Sequence, residues 1–219
     1  MLLDKKPLPL RSKSYALIDV ETNGLPDQHP DVGIVEIAMV VVNAGFEPIA
    51  SASCVINPDR WPPPDLSADA MAVHRLRREW LEAYGAPADI QDEMRHLLAK
   101  APPDFMLAWN SRFECELLAR FLDETYEEMM LRFSPVVGTR ERPVHLPVRG
   151  CVRSLAALAL NSPDPAANPP LLPDGKRAGL ARVARGLGIP AAPVAHRALP
   201  DALHAAAVMR QVLPLLVIP

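Results

Sequence analysis

Asp19 and Glu21 stand two positions apart where the apolar run Tyr15-Ala-Leu-Ile-Asp-Val20 ends. Side chains at i and i+2 of a strand project to one face, so these two carboxylates converge. Like charges held that close repel unless a cation sits between them, and hard oxygen donors suit Mg²⁺ or Mn²⁺ better than Zn²⁺. The spacing alone is a weak signal, and a surface pair at a strand end would share it. The setting strengthens the metal reading. The acids follow a buried strand, where an unpartnered carboxylate is costly, and precede the turn Thr22-Asn23-Gly24-Leu25.

Two more segments carry reactive groups. In His196-Arg-Ala-Leu-Pro-Asp201, Pro200 suits the first turn of a final helix and places Asp201 just inside it. Asp201 on its own would serve the helix dipole. His196 falls on the entry loop, and an imidazole titrates near neutral pH as a general base must. His204, three residues beyond Asp201, shares its helix face and is the rival base, ranked second. The other segment is Ala108-Trp109-Asn110-Ser111-Arg112-Phe113-Glu114, a strand end running into a helix. Glu114 continues the apolar stripe of Leu118 and Phe121, which makes it an acid facing inward. It also matches a capping box from Ser111, in which the Glu side chain returns to the N-cap amide, and spacing alone leaves the two readings level.

These residues need elements to hold them. Strands are expected at Tyr15–Val20, Ile34–Asn43 and Ile49–Ile56, joined too closely for helical crossovers and therefore antiparallel. Helices are expected at Ser67–Leu76 and Asp89–Lys100, then a fourth strand at Phe105–Trp109 and a helix from Asn110 or Ser111. Later helices fall near Ser154–Leu160, Ala178–Leu187 and Pro200–Leu213. The antiparallel start excludes a simple doubly wound sheet.

The chain has 219 residues, enough for one domain with a full core. The expected organisation is an N-terminal extension over 1–13, one domain over 14–213 and an apolar tail over 214–219 that covers the core or, as the less favoured reading, meets a partner. Twenty-five prolines against 10 glycines imply rigid loops, notably Trp61–Asp65 and Ser162–Asp174. A net charge of -3 argues against broad polyanion binding, so any nucleic-acid contact is local. Three cysteines without C-x-x-C spacing make neither a disulfide framework nor a thiolate metal site, which fits a reducing cytoplasm. No segment reaches the length of a membrane span.

Taken in order, the three segments resemble the motifs of the DnaQ-like exonucleases with a DEDDh active site, a branch of the ribonuclease H-like fold. The matching runs are Ala16-Leu-Ile-Asp19-Val-Glu21-Thr-Asn-Gly-Leu25, Asn110-Ser-Arg-Phe113-Glu114 and His196-Arg-Ala-Leu-Pro-Asp201. Softer similarities at Ile34-Val-Glu36-Ile37, Val73-His74 and Gly179-Leu180 extend the resemblance over nearly the whole chain. It implies a mixed α/β fold with a five-stranded sheet, the first three strands antiparallel, flanked by helices. The fifth strand would lie near Val148–Val152.

The resemblance further implies two Mg²⁺ or Mn²⁺ ions held by Asp19, Glu21, Glu114 and Asp201, with His196 as general base. One ion would activate water and the other stabilise the leaving 3′ oxygen, about 4 Å apart. The implied reaction is 3′-to-5′ hydrolysis of DNA, as single strands or frayed ends, to nucleoside 5′-monophosphates. Thr22, Asn23, Leu25 and Asn110 would contact substrate, Leu25 packing on the terminal base. Basic contacts would come from Arg75, Arg77 and Arg78, or from Lys176, Arg177 and Arg182, although solvated helix faces explain these equally. A polymerase or repair partner is compatible with the pattern, and oligomeric state is not legible in it.

The chain departs from the family pattern at two places. Glu114 stands where the family carries Asp, and one methylene moves a carboxylate by about 1 Å, enough to slow a position-critical step. Arg75 stands where the family usually has Gly. Two alternatives follow: an end-binding module with weakened catalysis, and an oligoribonuclease-type RNA exonuclease.

Overall fold

The structure is a computed structural model that describes residues 14–24, 32–57, 67–85, 90–101, 103–125, 128, 136–139, 142–145, 149–152, 156, 179–194 and 196–215. Leu25, the extension 1–13, both proline-rich stretches, Lys176, Arg177 and most of the helix expected at 154–160 lie outside the described residues.

Strands β1 (Tyr15–Thr22), β2 (Ile34–Val42) and β3 (Pro48–Val55) form an antiparallel meander. Helices α1 (Ala68–His74), α2 (Arg78–Tyr84) and α3 (Ile90–Lys100) follow. Strand β4 (Phe105–Ala108) returns parallel to β1 and leads into α4 (Ser111–Phe121). A separate hairpin of β5 (Val136–Thr139) and β6 (Arg142–His145) precedes β7 (Arg149–Cys151), which lies parallel to β4. The chain ends in α5 (Leu180–Gly186), α6 (Ala198–Val212) and a short 3₁₀ turn, Leu213–Leu215. The main sheet has the order β3-β2-β1-β4-β7.

Strand alternation divides the core into two layers. Tyr15 and Leu17 of β1, with Ala38, Val40 and Val42 of β2, pack beneath α5 and α6. Ala16, Ile18, Val20, Ile37 and Met39 pack on the other face against α3 and α4. All nine residues of β2 are buried, as expected of a strand covered on both faces. Val212 and Leu213, where the apolar C-terminal run begins, belong to the α6 layer.

Several sequence boundaries need correction. β1 continues to Thr22 rather than ending at Val20, because its pairing with β2 runs through Glu21 opposite Glu36 before the register shifts at Thr22. Asp19 and Glu21 therefore lie within a paired strand. α6 begins at Ala198, two residues before Pro200, which still sits among the first amides that have no intrahelical acceptor. α2 and the β5–β6 hairpin were not anticipated. In α2 only Leu81 is buried, so it presents almost no apolar stripe.

β1, β4 and β7 are parallel, and the chain departs from β1 toward β2 but from β4 toward β7. The crevice beyond their carboxyl ends is where an open α/β sheet leaves room for a site.

Candidate active site

Asp19 and Glu21 continue the alternation of Tyr15 and Leu17, and so belong to the face that α6 covers. Glu36 bears the same relation to Ala38 and Val40 on β2. α6 crosses this face with Asp201 in its first turn. One ligand atom each from Glu21, His196 and Asp201 lie within 4.8 Å of one another.

The loop before α6 is held in an unusual conformation. His196 has φ 57°, the left-handed region, which costs a non-glycine residue about 1–2 kcal/mol. Its backbone N–H donates to Asp201 Oδ2 at 3.1 Å, fastening the residue that carries the imidazole to the acid beside it. Strain of this kind persists only where neighbouring structure over-determines it.

The electrostatics record crowding among acids. Burial raises the Asp19 carboxyl well above its ordinary value, and Glu21, Glu114, Asp201 and Glu36 raise it further. Glu21 is pushed up to about 8, first by burial and then by Asp201 and Glu36, with Arg197 opposing. Burial also raises Asp201, against which the His196 charge and amide and the His204 charge all pull down.

Glu114 is buried, and its Oε1 accepts the Asn110 N–H at 3.1 Å. The N-cap is Asn110 rather than Ser111, so the carboxylate reaches back four residues, not the three of a capping box. Its charge is nevertheless felt at Asp19. Capping and proximity to the acids thus coexist. Asp19 and Glu114 do not join the close group of Glu21, His196 and Asp201.

The expected substrate-contact residues are placed as follows. Thr22 Oγ1 donates to the Gly24 carbonyl at 2.7 Å, and Asn23 Oδ1 accepts from Gly33 N at 2.8 Å. Both side chains thus help hold the turn that leaves β1. Asn110 caps α4 through its position and not through its side chain. Arg75, Arg77 and Arg182 are exposed, while Arg78 pairs with Glu82 at 2.7 Å. His204 is buried within α6 and lies outside the close group. Cys54, pushed up to about 12 by burial and then by Glu93 and Glu36, is no thiolate nucleophile.

Sequence reasoning gave no role to three residues beside the site. Glu36 is buried opposite Glu21 and receives Arg197, whose guanidinium also lies 5.9 Å from the centre of the Trp80 ring. His74 is buried, and its Nδ1 accepts the Leu76 N–H at 2.9 Å. Burial lowers its pKa most, with Glu36 among the groups opposing. The available signal was Glu36 itself, an acid within the apolar run Ile34–Val42.

No protein-family model and no curated protein matches the sequence. Solved structures do. Exonuclease I of E. coli, in complex with a dT13 oligonucleotide, superposes with TM-score 0.67 at 19% identity over 91% of this chain and 40% of that one. Cell-death related nuclease 4 gives 0.64 at 12% identity, covering 93% and 64%. A 3′-exonuclease that recognises the histone mRNA stem-loop gives 0.60 at 12% identity, covering 91% and 63%. The chain shares its fold with these nucleases across most of its length. It spans 40% of the length of the E. coli Exonuclease I chain. At these identities the likeness establishes a fold, and activity has to be argued from the site.

Proposed function

We propose that this chain is a divalent-metal-dependent 3′-to-5′ exonuclease that hydrolyses single-stranded or frayed DNA ends to nucleoside 5′-monophosphates. The observation that carries this reading is the meeting of Glu21, His196 and Asp201 within 4.8 Å, from opposite ends of the sequence.

The donor set fits Mg²⁺ or Mn²⁺. Its acids are Asp19, Glu21 and Asp201, each raised first by burial and, at Asp19 and Glu21, also by neighbouring acids, and a bound cation would favour their ionised forms. Asp19, Glu21, Asp201 and Glu114 would hold two such ions. When bound, they would supply Lewis acidity for the attacking water and for the departing 3′ oxygen. His196 takes the proton of that water, and its exposed position on the loop leaves the imidazole open to solvent and substrate. The Asp201 carboxylate accepts the His196 backbone N–H and so holds the segment that carries the base beside the acid. General-base catalysis of this kind contributes about 10²- to 10⁴-fold.

A 5′-labelled oligonucleotide incubated with the protein and Mn²⁺ tests the proposal. The expected result is a ladder shortening one nucleotide at a time, abolished by chelator. Retention of intact oligonucleotide without cleavage would favour an end-binding module instead. RNA is the second substrate reading, supported by the likeness to the histone mRNA exonuclease, and a ribo-oligonucleotide in the same assay decides it. A reducing cytoplasm and a polymerase or repair partner remain part of the proposal. Among the described residues, no helix is long and apolar enough to cross a membrane.

A further inference from the structure

Glu36 reaches across from β2 to the segment that delivers His196 and Asp201. Arg197 Nε lies 3.0 and 2.9 Å from its two carboxylate oxygens, and Arg197 Nη2 lies 2.8 Å from Oε1. Glu36 Oε2 also accepts the Ala198 N–H at 3.0 Å. That amide is the first of α6, a donor without an intrahelical partner, and the N-cap residue Arg197 supplies no side-chain cap. A strand acid therefore caps the helix in place of the local residue. Arg197 is fixed from a second side by the Trp80 ring, 5.9 Å from its guanidinium carbon.

The placement carries a functional meaning. Glu36 is the register partner of Glu21, so the residue that holds the root of the His196 loop stands opposite the acid of β1. Arg197 follows His196 directly, and Asp201 lies one helical turn further on. Glu36 is buried and Arg197 half-buried, and an ion pair adds little net stability in either setting, which leaves orientation as the more economical reason for this one. The fork of Arg197 fixes direction as well as charge.

We infer that Glu36 and Arg197 are positioning residues that moor the His196 loop and the start of α6 to β2, setting His196 and Asp201 against Glu21. The inference rests on the exonuclease reading above. Displacement of a reacting group by about 1 Å can cost about a hundredfold in rate, so the effect is expected in turnover rather than in substrate affinity.

Arg197→Ala, Arg197→Lys and Glu36→Gln, each compared with the unsubstituted chain, test it by hydrolysis kinetics and by amide hydrogen exchange. Arg197→Ala is expected to lower kcat about a hundredfold with KM within about twofold. Exchange at residues 196–201 should quicken at least about tenfold while β1 and β2 stay protected. Arg197→Lys and Glu36→Gln should fall between the two, since each keeps part of the contact. A raised KM with unchanged kcat would instead make Arg197 a substrate contact and overturn the inference. So would kcat within about twofold of the unsubstituted chain in all three variants. If the unsubstituted chain hydrolyses nothing, the exonuclease reading fails, and exchange alone then decides the mooring. Unchanged exchange at 196–201 in Arg197→Ala overturns it whatever the activity.

Discussion

Glu114 answers to two demands, capping α4 through the Asn110 amide and adding negative charge beside Asp19. Shortening it separates them. Glu114→Asp is expected to preserve or raise the hydrolysis rate, while the lost cap lowers stability by about 1 kcal/mol, read by denaturant unfolding. A slower enzyme of undiminished stability would mean that the longer side chain is the one the site requires. His196 poses a parallel question, because it stands among atoms close enough to ligate a metal. His196→Ala should remove most hydrolysis, about 10²-fold or more, and leave Mn²⁺ binding by calorimetry intact. Metal binding lost together with activity would make the imidazole a ligand rather than a base.

The short helices α1 and α2 show backbone demands that the sequence expresses poorly. Arg75 ends α1 in the left-handed conformation, φ 62°, and donates its N–H to the Met71 carbonyl. The family resemblance leads to the expectation of glycine here, and the φ value supplies a physical reason for one, since glycine enters that region without penalty. Arg75→Gly should stabilise the fold by about 1 kcal/mol, raising Tm by about 2–4 °C in a scanning calorimeter. No rise would mean that the Arg75 side chain contributes as much as its backbone costs. Gly85 ends α2 for a different reason. A Cβ there would press on the Leu81 carbonyl oxygen and the Asn57 backbone, so Gly85→Ala should destabilise by about 1–3 kcal/mol.

Across the whole molecule, the crowded acids link stability to pH. A carboxyl raised by folding binds its proton more tightly in the native state. Its contribution is therefore full below the unfolded value and is lost as pH rises through the folded one. For Glu21 that window runs from 4.5 to about 8, and Asp19 and Asp201 shift in the same direction. The Tm of metal-free protein is thus expected to fall across this window. The added stability from Mn²⁺ should grow over the same range, because the ion binds the ionised acids. A calorimetric Tm for chelated protein that stays flat or rises from about pH 5 to about pH 8 would contradict the crowding.

Much of the frame was legible because apolar runs report strands directly: β1, β2, β3 and β4 lie within two residues of their expected bounds. The acids of β1 and the segment 196–201 were legible for a similar reason, since charge inside an apolar pattern is conspicuous. The mooring by Arg197 was not, because it joins positions 161 apart in sequence and neither residue announces its partner. α2 was missed for want of a stripe, and the true cap of α4 for want of the backbone angles that select Asn110 over Ser111.

Glu21 and Asp201 come from the first strand and the last helix of the described fold. During translation the strand emerges long before the helix that completes the cluster. A nascent chain on the ribosome therefore carries only the Glu21 part of the Glu21, His196 and Asp201 cluster until synthesis has passed residue 201.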